Sequence, residues 1–155
     1  MQSLHFLKTI TAGALVLGMG VTLAFAAADD QIKARQAEMK ANGKAVGALV
    51  GIIKGETPYD AALVKATIDG MLAAEAAAIA AHAWDADSQK GETVETYAKP
   101  EAWSDAKGFG EAYAALVKAR DAVAASTDEA SFKAAFPALG EACKNCHEKY
   151  RRPKG

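Results

Sequence analysis

Residues 127–151 read Thr-Asp-Glu-Ala-Ser-Phe-Lys-Ala-Ala-Phe-Pro-Ala-Leu-Gly-Glu-Ala-Cys-Lys-Asn-Cys-His-Glu-Lys-Tyr-Arg. Phe132, Phe136, Leu139, Cys143, Cys146, His147 and Tyr150 step by three and four, the spacing of one helix face. Thr127 or Asp128 supplies an N-cap. Pro137 falls inside the run and removes a backbone hydrogen bond, so a kink or a separate first turn is expected there. Within the same run stands Cys143-Lys144-Asn145-Cys146-His147, and Cys-x-x-Cys-His is the pattern that attaches a c-type haem. On a helix the two thiols and the imidazole face one body. The thiols would form thioethers with the haem vinyl groups and His147 would sit under the iron as proximal ligand.

Three other chemistries use paired cysteines. A zinc site wants four ligands, and beyond the motif and residues 1–26 the chain offers only His82 and no cysteine. A thioredoxin-like dithiol belongs to a beta-alpha-beta setting, and no strand-like alternation occurs here. A plain disulfide across this short span is the third alternative.

Met1 to Ala26 combines Lys8, an apolar stretch from Ile10 to Phe25 and the small-residue site Ala24-Phe25-Ala26, the pattern of a cleaved secretory signal peptide. An uncleaved anchor is the rival reading. Residues 27–155 then make one domain with one core. Of the 18 lysines and arginines only Lys8 is in the leader, against 19 acids outside it, so the expected mature chain carries two net negative charges. That balance argues against nucleic acid as a partner. Removal of the leader leaves no segment expected to insert in a membrane.

Abundant alanine, sparse aromatics and a three-and-four apolar repeat read as an all-α protein. The first helix is expected from about Asp30 to Ile53, with Ile32, Met39, Val46, Leu49, Val50 and Ile53 forming its stripe. Thr57 as N-cap and Pro58 at the first helical position start a second helix to about Ala83. Val64, Ile68, Met71, Leu72 and Ile79 make its apolar face. A polar connection from Trp84 to Pro100 follows, long enough to lie along the bundle. Ser104 or Asp105 caps a third helix to about Ala125, with Phe109, Tyr113, Leu116, Val117, Arg120 and Val123 in its stripe. Four amphipathic helices make an antiparallel four-helix bundle the economical architecture, with covalent haem c inside.

Four segments carry a resemblance. Arg35-Gln36-Ala37-Glu38-Met39, Lys54 to Asp60, Pro100 to Asp105, and Cys143 to Arg151 are together similar to cytochrome c-prime, the class II c-type cytochromes. The resemblance covers essentially all of residues 27–155. It implies a periplasmic four-helix-bundle cytochrome, with pentacoordinate iron in most members and methionine-ligated, low-spin iron in a minority branch. In pentacoordinate members an apolar side chain four residues after the helix-one arginine crowds the distal site; here that residue is Met39. The resemblance therefore implies Met39 as sixth ligand, Arg35 paired with a haem propionate, Gln36 beside it, and Arg151 near the proximal imidazole. Met71 reads as core filler, His82 as a solvated or capping side chain, and Trp84 as either the closure of the haem edge or ordinary loop packing.

A tethered iron with both axial positions filled leaves substrate no place to bind. The expected role is single-electron carriage between periplasmic redox proteins, not enzyme catalysis. The alternative is a pentacoordinate high-spin protein binding nitric oxide or carbon monoxide, with Met39 a steric plug. Lys144, Lys149, Arg151, Arg152 and Lys154 form a basic cluster that would steer an acidic partner, or simply a solvated face. Family members often pair through helices one and two, where Ala45, Gly47, Ala48 and Gly51 permit close approach of a second copy. Mass spectrometry of the purified, exported protein under denaturing conditions is expected to show one haem mass retained on the chain; two free thiols in its place would end the haem c reading.

Overall fold

A computed structural model describes residues 19–153, with side-chain surroundings from residue 27 onward. Residues 1–18 of the expected leader lie outside the described residues, as do Lys154 and Gly155. The elements are α1 (Met19–Ile53), α2 (Ala61–Ala80), a 3-10 turn (Ala86–Gln89), the single turn α3 (Glu101–Ser104), α4 (Ala106–Ala124) and α5 (Glu129–Tyr150). The four long helices form the bundle. Helix α1 packs chiefly on α2, and α4 on α5.

Helix boundaries follow local chemistry. Gly55, with φ of 74°, takes the left-handed conformation just past α1, where glycine avoids a Cβ clash. The start of α2 differs from expectation: Asp60 is the cap, accepting from the amides of Ala62 and Leu63. Thr57 is drawn away instead, its amide donating to Gly51 O at 3.2 Å. Helix α2 ends at Ala80, and His82 at φ 54° turns the chain. Asp105 caps α4, and Asp128 with Ser131 forms a reciprocal capping box on α5. Pro137 does not break α5, which is one helix from Glu129 to Tyr150.

The core joins Leu49 and Ile52 of α1, Val64, Ile68 and Met71 of α2, Val123 of α4, and Phe132, Phe136 and Leu139 of α5. Tyr59 fastens the two helix pairs at this end, its hydroxyl donating to Ser126 O at 2.9 Å and its ring lying 5.7 Å from Phe132. Two residues expected inside are not. Leu72 and Ile79 are exposed and Ala78 is buried instead, because the inward line of α2 runs Val64, Ile68, Met71, Glu75 and Ala78 and leaves both one position off it.

A polar cluster interrupts the interior between α1, α2 and α4. Glu75 receives hydrogen bonds from Tyr113 Oη and from Arg120 Nη1, and Arg120 and Glu38 are both buried. Burial pushes the Glu38 carboxyl up to about 7, with the neighbouring Glu75 adding to the shift. Burial acts the same way on Glu75, but the bonds from Tyr113 and Arg120 outweigh it and hold that carboxyl below its ordinary value. Removing one member of a buried ion pair strands the other. Glu75→Ala is therefore expected to lower the unfolding free energy by about 3 kcal/mol, measured by urea denaturation, whereas Glu75→Leu with Arg120→Leu should retain most of it.

Candidate functional site

Helix α5 carries Cys143, Cys146 and His147 on one face, as the three-and-four spacing requires. Opposite, α1 presents Arg35, Gln36 and Met39. Arg151 follows α5 directly. All seven line one cavity of about 720 Å³, walled by Phe109, Tyr113 and Leu116 of α4 and by Trp84 and residues 96–98 of the crossover. Every residue singled out from the sequence as a haem contact thus meets the same space. Met71 both belongs to the core and touches the cavity.

The donor set suits haem c. Both thiols are half-buried and free of a disulfide, and burial pushes both upward, so they stay protonated. Burial, together with the nearby Arg151 charge, pushes His147 below its ordinary value. A neutral imidazole has a lone pair for a metal. Among the described residues no cluster of three or more His, Cys, Asp or Glu side chains could hold a metal ion by itself. The walls are apolar, with Arg35 and Arg151 as cationic groups suited to propionates.

Arg35 has a second occupation that the sequence did not reveal. It is 4% exposed. Its guanidinium donates to Ala83 O, to Ser88 Oγ at 2.9 Å, to Ser88 O at 3.1 Å and to Thr96 Oγ1 at 3.0 Å. It also lies over the Trp84 ring at 4.8 Å and the Trp103 ring at 5.3 Å. Burial lowers it to about 10, still a cation at neutral pH. Gln36 similarly donates to Glu95 O at 2.7 Å. Trp84 lines the cavity and packs 4.8 Å from Phe109 of α4. Thr96, Ser88 and Tyr113 are the contributors sequence reasoning missed; only Tyr113 gave a signal, through its place in the α4 stripe.

The crossover is tied at both ends. Asp29, buried on α1, accepts from the amides of Glu92, Thr93 and Val94 at 2.9, 3.1 and 3.2 Å. Gly91 sits so near that an added Cβ would lie 2.2 Å from Asp29 Oδ1 and 2.6 Å from Val94 O. At the other end Ala98 and Arg151 form a short antiparallel bridge, with Lys99 N donating to Tyr150 O at 2.8 Å and Arg152 N to Tyr97 O at 2.7 Å. The chain end is therefore held as far as Arg152.

Three members of the basic cluster have acidic neighbours, and Lys154 lies outside the described residues. Lys144 lies 3.7 Å from Glu148, Lys149 2.7 Å from Asp105 and Arg152 3.5 Å from Glu95. His82 is exposed and 3.1 Å from Asp85, as expected of a solvated side chain. Among the described residues no helix is long and apolar enough to cross a membrane.

A four-helix bundle whose last helix turns two free thiols and a neutral imidazole into an apolar cavity defines a haem-binding c-type cytochrome. The cytochrome C' family model matches residues 30–151. Cytochrome c-556 of Agrobacterium fabrum is 35% identical, the match covering 96% of this chain and 97% of that protein. The structure of cytochrome c' from Rubrivivax gelatinosus superimposes with a TM-score of 0.71 at 30% identity, covering 81% of this chain and 97% of the other. A point mutant of cytochrome c' from Alcaligenes xylosoxidans, complexed with nitric oxide, gives 0.70 at 31% identity, covering 83% and 99%. The chain belongs to the cytochrome c' family.

Asp105 links the cap of α4 to the end of α5, accepting from Lys149 Nζ at 2.7 Å, Tyr150 Oη at 2.9 Å and Gly108 N at 3.0 Å. The Lys149 ammonium, then the Tyr150 hydroxyl and the Gly108 amide, lower its carboxyl from 3.8 to about 2. An acid depressed in the folded state stabilises it above the unfolded value and loses that contribution as pH falls through the folded one. Asp105→Asn is expected to flatten the acid dependence of the melting temperature between about pH 4 and 2, read by circular dichroism.

Proposed function

We propose that the chain is an exported, periplasmic electron carrier holding a single haem c by thioethers to Cys143 and Cys146, with His147 as proximal ligand and Met39 as the sixth. When bound, haem c supplies a one-electron ferric/ferrous couple. The observation that carries the reading is the meeting of Met39, His147 and both thiols in one cavity, with the thioether on α1 and the imidazole on α5. A thioether is an iron ligand that raises reduction potential. The neutral state of His147 favours the proximal role. Arg35 and Arg151 would face the propionates, Arg35 while fixing the crossover. The role needs redox partners and no substrate, so the chain is a carrier rather than an enzyme.

A second reading has its own support, and the similar proteins favour it over methionine ligation. Solved relatives include cytochrome c' with nitric oxide bound, which suits a pentacoordinate iron that takes a diatomic gas. Met39 would then plug the distal space without ligating. Pairing of two copies through α1 and α2 belongs to both readings. Gly47 has no neighbour that a Cβ would meet, and Leu72 and Ile79 of α2 lie outside the core; sedimentation velocity tests the pairing.

The visible spectrum of the haem-loaded protein in both oxidation states separates the readings. Methionine ligation requires sharp alpha and beta bands that become high-spin in Met39→Ala, with a fall in midpoint potential and a gain in carbon monoxide binding. A high-spin spectrum already present in the wild type, unchanged by Met39→Ala, would establish the gas-binding reading instead.

A further inference from the structure

One turn beyond Met39, α1 carries a polar side chain into the same cavity. Asn42 lines it beside Met39 and Val46, and residues three apart share a helix face. Its Oδ1 is buried and has no hydrogen-bond partner among the described residues. A buried polar atom without a partner is costly. Of the other polar groups lining the cavity, the Tyr113 hydroxyl is committed to Glu75, the Arg35 guanidinium to Ala83, Ser88 and Thr96, and the Gln36 amide to Glu95, while Lys40 is exposed. Carboxamide oxygen and nitrogen are told apart only by their partners. Oδ1 is the end closed off against the protein, so Nδ2 is the end of the amide left to donate to a ligand in the cavity.

We infer that Asn42 is the hydrogen-bond donor of the distal cavity, directing Nδ2–H toward a small diatomic ligand that enters on the Met39 side. The remaining distal wall from Val46, Leu116 and the Met39 stem offers no such group. Asn42 therefore distinguishes a ligand with partial negative charge on its outer atom from one without. The inference rests on the haem c reading but not on whether Met39 ligates, because Met39→Ala removes the side chain whether it is a ligand or a plug.

The probe is carbon monoxide on the reduced, haem-loaded Met39→Ala protein, with and without Asn42→Leu. A donor near the outer oxygen strengthens electron release from iron into the ligand and lowers the C–O stretch. Asn42→Leu is expected to move that infrared band to higher wavenumber and to speed carbon monoxide dissociation by about fivefold, the scale of one lost hydrogen bond. Asn42→Asp, close in shape but unable to donate when ionised, should raise the stretch as well and serves if the leucine variant fails to load haem. An unmoved band and unchanged dissociation in a loaded variant overturn the inference. Absence of haem on the chain would instead overturn the reading beneath it.

Discussion

A buried guanidinium holds the site together. Arg35 projects from α1 into a connection that has no regular secondary structure beyond one 3-10 turn, and it satisfies carbonyls and hydroxyls of Ala83, Ser88 and Thr96 at once. Without that cation these buried groups would lose a donor, Ala83 O keeping only that of the Ser88 hydroxyl. The two indoles close over its faces. The same side chain therefore converts a polar loop into a cavity wall and keeps a positive charge there. Asp29 does the complementary work earlier on the same helix, where a carboxylate gathers successive loop amides.

The interior divides into a dry half and a polar half. Around Phe132, Leu139 and Val123 the packing is apolar and continuous. Toward the cavity the helices separate, and Glu75, Arg120 and Tyr113 brace them by paired hydrogen bonds. Buried ion pairs add little net stability, but they tolerate few alternative arrangements. Here the pair fixes the Tyr113 ring as a cavity wall.

Much of this is legible in the chain. The periodicity from Phe132 to Tyr150 specifies a helix face, and the attachment motif lies on it, so spacing alone brings Cys143, Cys146 and His147 together. Arg35, Gln36, Met39 and Arg151 reach the same cavity through a family resemblance rather than through spacing. Asp128 reads correctly as a cap because its signal is local. The hidden features are those with distant partners: Arg35 bonds residues 48 to 61 positions away, which no periodicity encodes. Thr57 fails as a cap because α2 begins only at Ala61, where Asp60 stands in the capping position. Leu72 and Ile79 fail as core because hydrophobicity alone does not say which way a helix turns. Asn42 gives no signal of its own, since an asparagine on a helix usually faces solvent.

The bridge between Ala98 and Arg151 makes the tail of the polypeptide one half of a clasp, with the crossover as the other half. It is held by backbone hydrogen bonds, and short pairings of this kind open long before a packed core does. Loosening of this seam would release the tail and the crossover from each other while leaving the four long helices undisturbed.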